Sequence, residues 1–99
     1  MSQQSRVGAH ATKIHTHGGN TYIKYHNTEV VVFGDSWVML DNGGWKTATT
    51  KLRMNQASNQ FDLGYHVYQK DYAWYVVTPA GETCRFNERG TFSFYRKEA

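Results

Sequence analysis

The chain has one cysteine, one proline, and no apolar run near the length that a membrane helix needs. Between Asn42 and Phe61 it also has no acidic residue. Each absence excludes something. Cys84 by itself cannot close an internal disulfide, which fits a reducing compartment, most simply the cytoplasm. Without a long apolar run, no transmembrane helix is expected. Met1 to Arg6 lacks an apolar core segment, so no secretory signal peptide is expected either. Catalytic motifs are missing throughout. The Gly43-Gly44 pair is explained by a turn and is no phosphate-cradling loop. Nothing ties Cys84 to His26 or His66, and a strand cysteine is ordinarily a small buried hydrophobe. The Asp and Glu residues form no recognisable pair. An enzyme is therefore not expected, and neither is a cofactor.

What is present is aromatic and locally basic. Ninety-nine residues make one domain, and the 15% aromatic share supplies a large core from a short chain. The formal charge of +3 resides in Lys46, Lys51 and Arg53, since the rest of the chain is balanced. That permits a nucleic acid or an acidic protein as partner and demands neither.

Residues 1–20 are polar and without usable periodicity. They read as a flexible arm, with a short strand at Ala11–His15 within it. The histidines His10, His15 and His17 include a His-x-His pair that a transition metal can use, but no further ligand is near in sequence. They read as solvated side chains, with no metal expected. Residues 21–96 form the domain, and 97–99 a charged tail.

Thr21–His26 alternates with β-rich residues, placing Ile23 and Tyr25 opposite Tyr22, Lys24 and His26. Glu29–Phe33 is a continuous apolar run that suits a strand covered on both faces. Ser36–Asp41 alternates again. Asn42-Gly43 then predicts a type I′ hairpin turn, with Trp45–Thr47 pairing back as a short strand. A helix follows, capped among Thr47, Thr49 and Thr50 and ending near Asp62, with Gly64 placed for a left-handed cap. Thr50, Met54, Ala57 and Phe61 make its apolar stripe, so Met54, Ala57 and Phe61 should be buried and Asn55 and Asn59 exposed. Further strands are expected at 65–69, 72–78, 82–86 and 91–95, the first two hinged at Lys70-Asp71 and the next turn built on Thr78-Pro79-Ala80-Gly81. Tight turns force antiparallel neighbours. The expected fold is α+β: a curved antiparallel β-sheet of about seven to eight short strands packed around or against a single central helix.

Several of these residues form a familiar series: Asn42-Gly43-Gly44-Trp45, Thr49-Thr50, Arg53-Met54-Asn55-Gln56-Ala57, Phe61, Leu63-Gly64-Tyr65 and Val67-Tyr68-Gln69. The series resembles a group of small bacteriophage-type proteins in which a Gly-rich hairpin leads into an "R-M-N-Q" helix and a "V-Y-Q" strand. It covers roughly a third of the chain. The resemblance implies a small phage-type accessory protein and a compact domain, and it implies no chemistry.

Three binding readings compete with plainer ones. The helix N-terminus attracts anions, and Lys46, Lys51 and Arg53 with Thr49 beside it can form a phosphate or carboxylate site; the plainer reading is a solvated basic turn. On that reading, exchanging Lys51 and Arg53 for Gln should leave the fold unharmed or slightly more stable. Arg53, Gln56 and Gln60 share one helix face and Asn55 and Asn59 an adjacent one, residue types that read bases in the major groove; the plainer reading is a polar exposed helix. Tyr22, Tyr25, Trp37, Tyr68, Tyr75 and Tyr95 lie on both faces of the strands, more than one helix can cover; they form either a docking surface or a two-sided core. The expected function is a non-enzymatic protein that docks on a host macromolecule, most simply a host protein, to modulate host machinery or defence. The alternative is a nucleic-acid binder using the basic turn and amide-rich helix at 46–60.

Overall fold

The structure, a computed structural model, describes residues 12–44 and 48–96. Strands β1 (Thr12–His17), β2 (Asn20–Tyr25), β3 (Thr28–Phe33) and β4 (Trp37–Asp41) precede one helix, α1 (Ala48–Gln60). Strands β5 (His66–Lys70), β6 (Ala73–Val77), β7 (Thr83–Arg85) and β8 (Thr91–Tyr95) follow it. All neighbours are antiparallel, and the fold is α+β as the pattern predicts. The strands divide into two sheets, in the orders β1-β2-β3-β4-β8 and β5-β6-β7. Helix α1 packs against β2 and β3 of the first and against β5 of the second. Among the described residues, no helix is long and apolar enough to cross a membrane.

Three expectations need correction. Residues from Thr12 onward are no loose arm: the short strand expected within it is present and longer, as β1, which runs the full length of β2, from the Thr12–Tyr25 pair to the His17–Asn20 pair. The alternation there is weak because β1 is an edge strand with five of its six residues exposed, so no buried face marks it. Second, the partner of β4 outside β3 is β8, fifty residues away, with Trp37 opposite Tyr95 and Leu40 opposite Phe92. The strand expected at Trp45–Thr47 lies outside the described residues. The positive φ angles of that turn fall on Gly43 and Gly44, at 60° and 81°, so Asn42 is its flank and not its centre. Third, the β5–β6 turn is centred on Asp71-Tyr72, both left-handed, and not on Lys70-Asp71.

The helix ends where expected but by another residue. Asp62 takes φ 55°, and the Leu63 amide donates to the Ser58 carbonyl at 2.9 Å, the long bond of a Schellman cap. Gly64 is also left-handed, at 79°, but comes two residues after the cap. The Pro79 turn is as expected: the Gly81 amide donates to the Thr78 carbonyl at 2.8 Å.

The core lies between the sheets. Ile23, Val31, Phe33, Val38 and Leu40 meet Met54 and Ala57 of the helix and Val67, Trp74 and Val76 of the second sheet. Aromatic rings join the layers in a chain, Trp74 to Phe86, Phe86 to Phe92, Phe92 to Phe94 and Phe94 to Tyr65, with centroids 5.7–6.4 Å apart. β3 is buried on both faces as expected, though by different means. Val31 and Phe33 face the helix, while Val32 is buried on the opposite face and lies outside the core cluster. Phe61 is half-buried, its ring 5.0 Å from that of Phe33. Full burial would make its loss severe; partial burial limits Phe61→Ala to about 2 kcal/mol, measurable by urea unfolding.

Candidate functional site

The described residues expected to form a binding turn and helix face do not share one surface, although Arg53 and Gln56 meet. Lys46 lies outside the described residues. Thr49 is half-buried in the first turn. Lys51 and Arg53 stand two positions apart on a helix, a spacing that sends side chains to opposite sides. The Lys51 ammonium reaches the second sheet, donating to Gln69 Oε1 at 3.2 Å and lying 5.8 Å from the Trp74 ring. Arg53 goes to the first sheet and is only 7% exposed. Its Nε donates to Thr12 Oγ1 at 3.0 Å, one terminal nitrogen donates to Gln56 Oε1 at 3.0 Å, and the guanidinium sits 5.7 Å from the Tyr25 ring. Lys51 and Arg53 therefore make no common anion site.

The base-reading face fails for a related reason. Gln56 is buried beside Arg53. Asn55, expected to be exposed, is half-buried and grips β5: its Nδ2 donates to the Val67 carbonyl at 2.9 Å, and its Oδ1 accepts from the Val67 amide at 2.7 Å. Asn59 and Gln60 are exposed as expected, but two amides at the helix end make no groove-reading surface. The amide-rich character of the helix is explained by having two sheets to satisfy. Ser58 joins the same system, donating to the Tyr65 carbonyl and accepting from its amide. Burial pushes the Tyr65 phenol well above the usual tyrosine range, and its hydroxyl donates to the Met54 carbonyl.

The structure does assemble two aromatic faces, each pointing away from the helix. On the first sheet, strand register places His15, Tyr22, Val32, Met39 and Ser93 in one row, and Trp37 and Tyr95 in another. His15 and Tyr22 stack at 4.8 Å, nearly parallel. Tyr95 is 85% exposed and Met39 38%. Gly34 makes room for Trp37: a Cβ there would lie 2.7 Å from the indole nitrogen. On the second sheet, Tyr68 and Tyr75 pair across strands and stack at 5.4 Å, with His66 beside Tyr68 and Arg85 opposite Tyr75. Tyr25 alone of the aromatic set faces inward, packed on the core. Met39 and Val32 also belong to the first face; alternation with Val38 and Leu40 marks Met39, whereas the continuous apolar run of β3 does not single out Val32.

No three His, Cys, Asp or Glu side chains gather as a metal site among the described residues. Cys84 is half-buried against the core. No curated protein and no solved structure matches the chain. A model of the Kyanoviridae Gp96 protein family, phage proteins of unknown function, matches residues 1–95. Since that match covers nearly the whole chain, the protein belongs to the Kyanoviridae Gp96 family.

Proposed function

We propose that the protein is a non-enzymatic docking module that binds a host protein through the outer face of the five-stranded sheet. The observation that carries this reading is the row Tyr22, Val32, Met39 with Trp37 and Tyr95 beside it, on a sheet face that no described helix or strand covers. Tyrosine and tryptophan supply much of the binding energy at protein interfaces because they bury large area at low entropic cost. A buried apolar centre, Val32, ringed by half-exposed aromatics, supports the same reading. At one end of the face Lys13, Lys24 and Glu29 stand in register, a charged rim of mixed sign.

Tyr95→Ala and Met39→Asp test it. Both positions are exposed, so stability should change by no more than about 0.5 kcal/mol. Capture from host lysate should recover a stoichiometric protein with the native chain. Each substitution should weaken that complex by about 30-fold if the residue is a hot spot. Retention of the partner by both variants would remove the face from the argument.

A second reading rests on the other sheet. Its outward strand positions are His66, Tyr68, Lys70, Ala73, Tyr75, Val77, Thr83 and Arg85, with two fixed positive charges and no acid. Stacked rings flanked by cations suit single-stranded nucleic acid, whose bases stack on aromatics without sequence preference. Here the nucleic-acid alternative moves from helix to sheet. Binding of a mixed-sequence single strand should fall steeply between about 50 and 200 mM salt, since each neutralised phosphate releases counterions. Salt-independent or absent binding would remove this second reading and leave the first untouched.

A further inference from the structure

The edge of a sheet presents backbone N–H and C=O groups that can pair with another strand, and folded proteins ordinarily blunt such edges. Three edges are blunted here. The Asn55 side chain bonds both backbone groups of Val67 on β5. At the start of β8, the Thr91 amide donates to Asn87 Oδ1 at 3.0 Å, and the Thr91 carbonyl accepts from the Asn87 amide at 3.0 Å. β7 is three residues long, too short to template much pairing. β1 is different. It ends the order of the five-stranded sheet, is six residues long, and has neither a proline nor a bulge in its pairing with β2. The register shift in that sheet lies between β2 and β3.

The turn of the β1–β2 hairpin determines which groups of β1 face outward. Gly18 and Gly19, at φ 61° and 83°, make a two-residue loop, so the flanking His17–Asn20 pair exchanges both ladder hydrogen bonds. Alternation then turns the backbone groups of His15 and Lys13 toward β2 and those of Ile14 and Thr16 away from it. No described strand lies beyond to pair with Ile14 and Thr16. The side chains alternate as well. Ile14 stands beside buried Ile23 on the helix side of the sheet, yet is itself 42% exposed. The apolar layer therefore runs out to this edge and stops there uncovered.

We propose that β1 pairs antiparallel with β1 of a second copy of the chain, joining two five-stranded sheets into one of ten strands. A two-fold axis normal to the sheet keeps equivalent faces on the same side, so the axis passes through a residue of β1. An axis at His15 lets Ile14 of each copy exchange both hydrogen bonds with Thr16 of the other, and leaves the Thr12 side chain with Arg53. Ile14 then gains the Thr16 methyl of the copy as cover. Lys13 faces His17 of the copy and not Lys13, so no lysines stand directly opposite one another. The stacked His15 and Tyr22 meet their equivalents across the axis, and the outer faces of the two sheets become continuous. The pairing holds whatever that outer face binds, and its test is separate from the capture experiment. Contact along one strand is at the low end of specific interfaces, so a dissociation constant on the order of 100 μM is expected.

Sedimentation and amide hydrogen exchange of the whole chain, read between about 10 μM and about 2 mM, test this. The average mass should rise toward twice that of the chain with concentration. Over the same range the Ile14 and Thr16 amides should gain protection, whereas the Lys13, His15 and His17 amides, bonded to β2, should be protected throughout. A chain that stays monomeric at the upper concentration overturns the proposal. So does protection of Ile14 and Thr16 that is independent of concentration, because their partner would then lie within one chain. Ile14→Pro deletes the outward N–H and no bond to β2, at an edge position that accepts proline. Ile14→Lys keeps the backbone and places a charge at the edge, and it decides the matter should the proline variant not fold. With the β2–β3 amides still protected, each variant should weaken self-association by about tenfold or more. Self-association of a folded variant as tight as that of the native chain overturns the proposal.

Discussion

Arg53→Ala should destabilise the domain by about 3 kcal/mol, seen as a lowered urea midpoint. The charge pattern alone leads to the opposite expectation, because a cation in the first half of a helix opposes its dipole and its removal should help slightly. The structure reverses the sign. Arg53 is buried between α1 and the β1–β2 hairpin, donating to Thr12 Oγ1 and Gln56 Oε1 and lying on the Tyr25 ring. Hydrogen bonds from a charged group contribute about 1.5–3 kcal/mol each, far more than the few tenths at stake in the dipole term. Alanine would also leave buried Gln56 with a lost donor. Lys51→Gln is the internal control. Lys51 makes an exposed hydrogen bond to Gln69, and its removal should change stability by no more than about 0.5 kcal/mol. Equal effects at the two positions would show that Arg53 is solvated and that β1 is not held by it.

Asn55→Ala should cost about 2–4 kcal/mol and loosen the second sheet in particular. The Asn55 amide bonds both the N–H and the C=O of Val67, standing in for the neighbouring strand that edge strand β5 lacks on that side. Alanine removes both partners at once, and each unsatisfied backbone group costs about 1–3 kcal/mol when buried, less where water can enter. Hydrogen exchange separates this from a general loss of stability. The Val67 amide should lose protection first, with the β5–β6 pairs following, while the β2–β3 pairs keep theirs. Asn55→Asp retains the acceptor for the Val67 amide and loses only the donor to its carbonyl, so its cost should be smaller. Uniform loss of protection across both sheets would show that Asn55 acts through the helix and not through β5.

The helix shows why some residues were legible and others not. Thr50, Met54 and Ala57 repeat at helical spacing and are fully buried, as such a stripe requires. Arg53, Gln56 and Ser58 fall off the stripe and are buried too. A hydrophobic pattern marks one apolar face, but α1 touches two sheets, and its contacts outside the stripe are made by polar side chains whose hydrogen bonds leave no apolar signature. The same limit applies to the donors Asn42 Nδ2 and Trp74 Nε1, buried without a partner among the described residues. Nothing in either residue type says that its N–H will be buried without a partner, because that depends on which other elements close around it.

Within this chain, local physics decided the element types. Alternation set β2, β4 and β8, the apolar run set β3, Pro79 set its turn, and the threonine-led stripe set α1, because backbone sterics and side-chain spacing act within a few residues. Tertiary structure decided the partners. It joined β4 to β8 across fifty residues, divided the strands into two sheets, and turned Arg53 and Asn55 from a presumed outer surface into the links between helix and sheets. No window of sequence contains that choice. It depends on which apolar faces bury each other best and on which buried polar groups find partners when they do.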